Sequence, residues 1–235
     1  AIGTNTAVVH YYAVEQAIDP NALSLEDTIE VAHAHGVPVM VDSAGQIYPL
    51  DNLGKYVRMG ADFQCIAAKY MNAPQSTGLA LGTEEMIRKL SLHSFVSYEG
   101  RRVRGIGRPQ KVDRQEMIGA VTAVKHWMSM NHEERLAKAE RQTSTIMAFL
   151  QSIPGVTTQR IENVIGHMPY GFDMKIDAFI AGLDVYEVVD RLKAGDPPIW
   201  TRVRDGESWI TIHMFGLHDG EDKIVGERIA ALFTK

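Results

Sequence analysis

Apolar and polar positions follow two patterns in this chain, and the change falls beyond its midpoint. In the first hundred residues, nearly continuous apolar runs alternate with segments of helical spacing. Thr6-Ala7-Val8-Val9-His10-Tyr11-Tyr12-Ala13-Val14 predicts a strand almost at once. Val37-Pro38-Val39-Met40-Val41-Asp42 and Phe63-Gln64-Cys65-Ile66-Ala67-Ala68-Lys69 predict two more, each closing on a charged residue. Unbroken apolar runs of this length suit strands buried on both faces. Between the first two, Ser24-Leu25-Glu26-Asp27 has the spacing of a capping box, and the helix it opens runs to about residue 35, with Gly36 as its stop. A second helix is expected over 50–59, ending near Gly60. A short strand over 77–81 and a helix over 84–90 follow. Strands alternating with helices imply a mostly parallel sheet.

Residues 97–111 break the alternation. They are rich in glycine, carry five cations (Arg101, Arg102, Arg104, Arg108 and Lys111), and are expected to form a loop. Asp113-Arg114-Gln115-Glu116 is a second capping box, opening a long helix to about residue 130. Another helix is expected from about 131 to 152. From Pro154 on, expected strands at 170–176, 199–203 and 209–214 alternate with helices at 184–194 and 219–233, an α+β layer. The expected organisation is a large α/β domain over 1–111, linking helices over 112–153 and a small α+β domain over 154–235.

With 235 residues and 45% hydrophobic composition, the chain can bury one large core or two small ones. A formal net charge of −5 argues against general nucleic-acid binding, and the basic loop has no interleaved aromatic residues to argue for it. Cys65 is the only cysteine, so no internal disulfide can form and a reducing, cytoplasmic setting is expected. No run suits a membrane span or a signal segment. His33 and His35 lie two apart and leave a helix in different directions, and His213 and His218 lack a matching carboxylate spacing, so no metal site is expected.

The candidate chemistry rests on Asp42 and Lys69. A charge at the end of a buried strand is costly unless it is paired or used, and open α/β sheets bind ligands beyond the carboxyl ends of their strands. An amine and a carboxylate placed there suit pyridoxal 5'-phosphate (PLP). The amine can join the aldehyde, and the carboxylate can keep the pyridine nitrogen protonated so that the ring withdraws electrons.

The segments Val37-Pro38-Val39-Met40-Val41-Asp42-Ser43-Ala44, Gly60-Ala61-Asp62, and Lys69 with Ala73-Pro74-Gln75-Ser76-Thr77-Gly78 resemble fold-type-I PLP enzymes. Gly107-Arg108-Pro109-Gln110-Lys111-Val112 and Gly195-Asp196-Pro197-Pro198-Ile199 extend the likeness to the group holding seryl-tRNA selenium transferase and D-glucosaminate-6-phosphate ammonia-lyase. The resemblance implies that Lys69 is the Schiff-base lysine and that Asp42 meets the pyridine nitrogen. It implies cofactor contacts for Ser43, Gln75 and Thr77, with Gln75 and Thr77 near the phosphate, and substrate contacts for Arg108, Lys111 and Arg202. A homodimer or larger homo-oligomer acting on a small amino substrate is implied as well.

Three departures stand out. The serine-glycine approach to the lysine is Ala67-Ala68 here and one residue shorter. The last strand, Ile210-Thr211-Ile212-His213-Met214-Phe215, lacks the family's arginine. The family's first third, with its phosphate loop and ring-stacking aromatic, has no counterpart, so a separate or missing amino-terminal segment is expected. The implied reaction passes through an external aldimine and an α-carbanion. The favoured outcome is β-elimination from an amino acid or phosphorylated amino-sugar acid, or selenium-transferase-like chemistry. The alternatives are a class-V-like aminotransferase or desulfurase, or a non-catalytic α/β subunit that keeps the fold.

Overall fold

The computed structural model describes residues 2–100, 102–161, 171–201, 203, 208–214 and 216–234. It divides into two compact units, one covering Ala1–Met130 and the other beginning at Asn131. The two long helices read as linkers from the sequence therefore belong to different units.

The first unit is built on a four-stranded sheet. Strands β1 (Val9–Tyr12), β2 (Val39–Asp42) and β3 (Phe63–Ala67) run parallel, and β4 (Gly78–Gly82) lies antiparallel beside β3, in the order β1-β2-β3-β4. Register places Tyr12 opposite Asp42, and Asp42 opposite Cys65. The carboxyl ends of the three parallel strands thus lie side by side.

Helices α1 (Glu15–Ile18), α2 (Leu25–Ala34) and α3 (Lys55–Arg58) connect these strands. Ser24 caps α2 by accepting the Asp27 N–H at 3.0 Å. The single helix expected over 50–59 is instead a 3-10 turn (Leu50–Asn52) followed by α3. Gly54, at φ 84°, stands in the left-handed region between them and breaks the helical path. After β4 come α4 (Glu84–Leu92), α5 (Phe95–Glu99) and α6 (Arg114–Ser129). The expected loop over 97–111 thus begins inside a short helix. The capping box at the start of α6 is complete, with Asp113 accepting the Glu116 N–H and Glu116 accepting the Asp113 N–H.

Two cores form in this unit. Leu25, Ile29 and Ala32 of α2 pack with Val39, Val41, Tyr11 and Tyr56. Ile47, Ile66, Ala68 and Met71 pack with Trp127 of α6. The Trp127 indole N–H donates to the Ile47 carbonyl at 3.0 Å, so the buried ring brings its polar atom to a partner.

In the second unit, β5 (Val156–Arg160), β6 (Gly171–Ile176) and β7 (Trp209–His213) form an antiparallel sheet in that order. With them fold α7 (His132–Leu150), α8 (Ala178–Ala181), α9 (Val185–Lys193) and α10 (Glu221–Ala231). The core holds Ile146, Leu150, Phe172, Met174, Val188, Leu192, Ile210 and Ile229. Strand β5 was not expected from its sequence, because Val-Thr-Thr-Gln-Arg offers one apolar residue and an exposed face. Of the strand expected over 199–203, the described residues show a single bridge, between Val203 and Ile210. Among the described residues no helix is long and apolar enough to cross a membrane.

Candidate active site

Asp42 is the last residue of β2 and is partly buried. Its Oδ1 accepts the Ala44 N–H at 3.1 Å and the Cys65 thiol at 3.6 Å. Oδ2 accepts no hydrogen bond from any described residue, which leaves one carboxylate oxygen available to a ligand.

The Cys65 thiol is raised above its ordinary pKa of 9.0, first by burial and then by the neighbouring Asp42 charge. It is a protonated donor at neutral pH, not a thiolate nucleophile.

Ser43, the next residue, is placed differently from the cofactor contact expected of it. It is 1% exposed. Its hydroxyl donates to the Cys65 carbonyl at 2.9 Å and accepts from Gln64 Nε2 at 3.0 Å. Gln64 Nε2 also donates to the Asn52 carbonyl at 2.9 Å. The alternation of side chains along a strand sends Asp42 and Ser43 to opposite faces. Ser43 therefore serves as a buried brace between β2 and β3. The supporting role of Gln64 was missed in the sequence, where a glutamine inside an apolar run gave no hint of its partners.

The strand expected to end on Lys69 stops two residues earlier, at Ala67. The chain then turns through a 3-10 segment, Ala68–Met71, which carries Lys69. Backbone bonds still reach both neighbours at this point, with Ala67 N–H donating to the Ala44 carbonyl and Ala68 N–H to the Thr77 carbonyl, each at 3.0 Å. The 3-10 turn then takes over, where the Asn72 N–H donates to the Lys69 carbonyl at 3.0 Å. Lys69 is exposed and forms no ion pair with a described residue, and its amine lies 5.3 Å from the centroid of the Tyr70 ring.

Asn72 closes this turn at φ 64°, a left-handed conformation that asparagine tolerates. The segment that follows folds back to β4. Thr77 Oγ1 donates to the Pro74 carbonyl at 2.7 Å, and Gln75 is exposed. Ser76 donates to Glu116, the capping-box residue of α6. The Thr77 hydroxyl is thus turned into its own loop, while Gln75 remains free to reach outward. A Cβ added at Gly119 of α6 would stand 2.8 Å from Pro74 Cγ, so α6 packs closely on the loop that follows Lys69.

Arg108 and Lys111 come together in the first unit. Both lie over Phe95 of α5, at 5.6 and 4.9 Å from the ring centroid. Arg108 Nε also pairs with Glu99 at 3.1 Å. Each partner of that pair is half exposed, so the pair holds little energy and can open to an incoming anion. Arg202 lies outside the described residues.

The second unit has an open cavity of about 670 Å³ beside Ile199, Trp200, Thr211, His213 and Ile224. It includes the Pro197-Pro198-Ile199 part of the stretch that carries the sequence resemblance.

Residues 1–172 match the model of the family described as aminotransferase class-V. The chain belongs to this family. The family is one of PLP-dependent enzymes. Two curated relatives are 25% identical to the chain. The match to the 5'-C-glycyluridine monooxygenase-decarboxylase of a Streptomyces species covers 83% of this chain and 46% of the relative. The match to D-glucosaminate-6-phosphate ammonia lyase of Salmonella typhimurium covers 86% of this chain and 50% of the relative. The chain spans about half the length of the curated relatives it matches.

Among solved structures, a D-glucosaminate-6-phosphate ammonia-lyase superimposes with a TM-score of 0.72 at 22% identity, covering all of this chain and 60% of that one. The ureidoglycine-glyoxylate aminotransferase of Bacillus subtilis gives 0.55 at 14% identity, covering 96% and 60%. At these identities the structural likeness speaks for the fold. The fold is that of PLP fold type I, as the class-V match requires, and its sheet is mostly parallel with one antiparallel strand.

Proposed function

We propose that this chain carries the lysine and aspartate of a PLP site and that the enzyme it belongs to processes a small amino substrate by lyase-type chemistry. One observation carries the reading. Asp42, with an unused carboxylate oxygen, and the turn holding the exposed Lys69 amine leave adjacent parallel strands at the same end of the sheet. The donor set fits the cofactor, since it combines an unpaired amine for an aldehyde with an acceptor for a pyridinium N–H.

Bound PLP would supply an aldehyde that captures amines and a protonated ring that withdraws electrons. Asp42 Oδ2 would hold the proton on the ring nitrogen. Lys69 Nζ would anchor the cofactor and, once released, take a proton from the substrate's α-carbon. Gln75 would face the cofactor phosphate as an exposed donor, while Thr77 would shape the loop more than touch the ligand. Arg108 and Lys111 would receive the anionic part of the substrate, and the sequence resemblance alone adds Arg202 to that role. Substrates of the ammonia-lyase relative's kind, amino-sugar acids bearing a phosphate, suit such cations.

Assembly as a homo-oligomer belongs to the same reading. Met117, Val121 and Met128 share one face of α6 and are 50%, 56% and 50% exposed, an apolar surface suited to another copy. Light scattering on the purified protein tests this, and a monomer at all concentrations would count against it.

The second reading is a class-V-like aminotransferase or desulfurase, which the family match also fits. Within this chain Cys65 is a partly buried thiol with a raised pKa and not the nucleophile of a desulfurase. The proposal is tested by adding PLP, reducing with borohydride and mapping the labelled peptide. A pyridoxyl group on Lys69 is the expected result, and a label elsewhere would refute the assignment.

A further inference from the structure

Asp42 is held by more than its own backbone. Its register partner on β3 is Cys65, and the two side chains meet on the same face of the sheet. The thiol donates to Oδ1 at 3.6 Å, the same oxygen that accepts the Ala44 N–H. Both donors converge on one oxygen, which restrains rotation of the carboxylate about its Cβ–Cγ bond. Oδ1 is thereby occupied and Oδ2 is left as the acceptor.

We infer that Cys65 is a positioning residue for Asp42: its thiol orients the carboxylate so that Oδ2 meets the protonated nitrogen of the cofactor ring. The inference rests on the PLP reading for its purpose, and on the Asp42–Cys65 contact for its geometry. The burial that raises the thiol pKa works in the same direction, since it keeps the S–H proton in place at neutral pH.

The alternative is that Cys65 merely fills space between β2 and β3. The two roles differ in what replaces the thiol. Serine keeps a hydroxyl donor in a similar volume, whereas alanine removes the donor. Serine restores volume as well as a donor, so the state of the S–H bond itself, and not serine rescue alone, separates an orienting role from a packing one.

Because the chain has a single cysteine, its S–H stretching band in a Raman spectrum belongs to Cys65 alone. In the full chain the band should lie at the lower frequency of a hydrogen-bonded thiol and should return to the unbonded position in Asp42→Ala. In parallel, PLP titration followed by absorbance should show Cys65→Ala binding about two- to fivefold more weakly, as expected for one weak S–H···O bond, with Cys65→Ser close to the wild type. An unbonded S–H band in the wild type, or an alanine variant that binds PLP as well as the wild type, would overturn the inference while leaving the PLP reading standing. A bonded S–H band in a chain that takes up no PLP would overturn the PLP reading while upholding the contact.

Discussion

Gln64 donates through Nε2 to Ser43 Oγ at 3.0 Å and to the Asn52 carbonyl at 2.9 Å, which ties the middle of β3 to the end of β2 and to the turn before α3. Gln64 is fully buried, and its Oε1 has no hydrogen-bond partner. The brace therefore stabilises by the two bonds it makes and is weakened by one buried oxygen.

Replacing Gln64 with Met keeps the bulk, removes both donors and also removes the unpartnered oxygen. The expected net loss is about 1 kcal/mol. Gln64→Ala adds an internal cavity, and its loss should reach about 3 kcal/mol. Urea unfolding followed by circular dichroism checks both. A methionine variant losing as much as the alanine variant would show that the hydrogen bonds, and not the packing, dominate.

Gly119 offers a second test, at the point where α6 meets the loop after Lys69. A leucine there improves helix propensity and still forces Pro74 aside, because even a Cβ would stand 2.8 Å from Pro74 Cγ. Overpacking of this kind costs about 1–3 kcal/mol. Gly119→Leu should lower the melting temperature and should weaken PLP retention more than the stability loss alone explains. Gly119→Leu with wild-type melting would show that the contact is slack.

The alkaline limit of stability follows from three buried-side groups. Burial is the first cause of the raised pKa of Cys65, Tyr11 and Tyr56, whose ordinary values are 9.0, 10.0 and 10.0. Above those values the unfolded chain releases these protons while the folded chain retains them, so unfolding gains with each pH step. The contribution is complete below pH 9 and is lost as pH rises through the folded pKa values. Stability should therefore fall from about pH 9 upward. Cys65 should also alkylate slowly at neutral pH and faster above pH 9. Flat stability through that range, or fast alkylation at pH 7, would contradict the burial argument.

The parts legible in the sequence are those that local pattern controls. The parallel strands before Asp42 and Lys69 and the Asp113–Glu116 box follow from runs of apolar residues and capping spacing. What the sequence hid depends on turns and polar partners that no apolar run marks. The early end of β3 goes with the 3-10 turn in which the Asn72 N–H donates to the Lys69 carbonyl, and Ser43 is held by Gln64 and by the Cys65 carbonyl. The exposed strand β5 and the break at Gly54 were invisible for a related reason, since one has almost no apolar alternation and the other turns on a single backbone angle.

The central claim is that Lys69 is the covalent anchor for PLP beside Asp42. Borohydride reduction of the PLP-treated chain, followed by peptide mapping in the wild type and in Lys69→Ala, tests it most directly. The account predicts a visible absorption band and a pyridoxyl label on the Lys69 peptide, both lost in the alanine variant. A label that persists in Lys69→Ala, or one that falls on another lysine of the wild type, would contradict it.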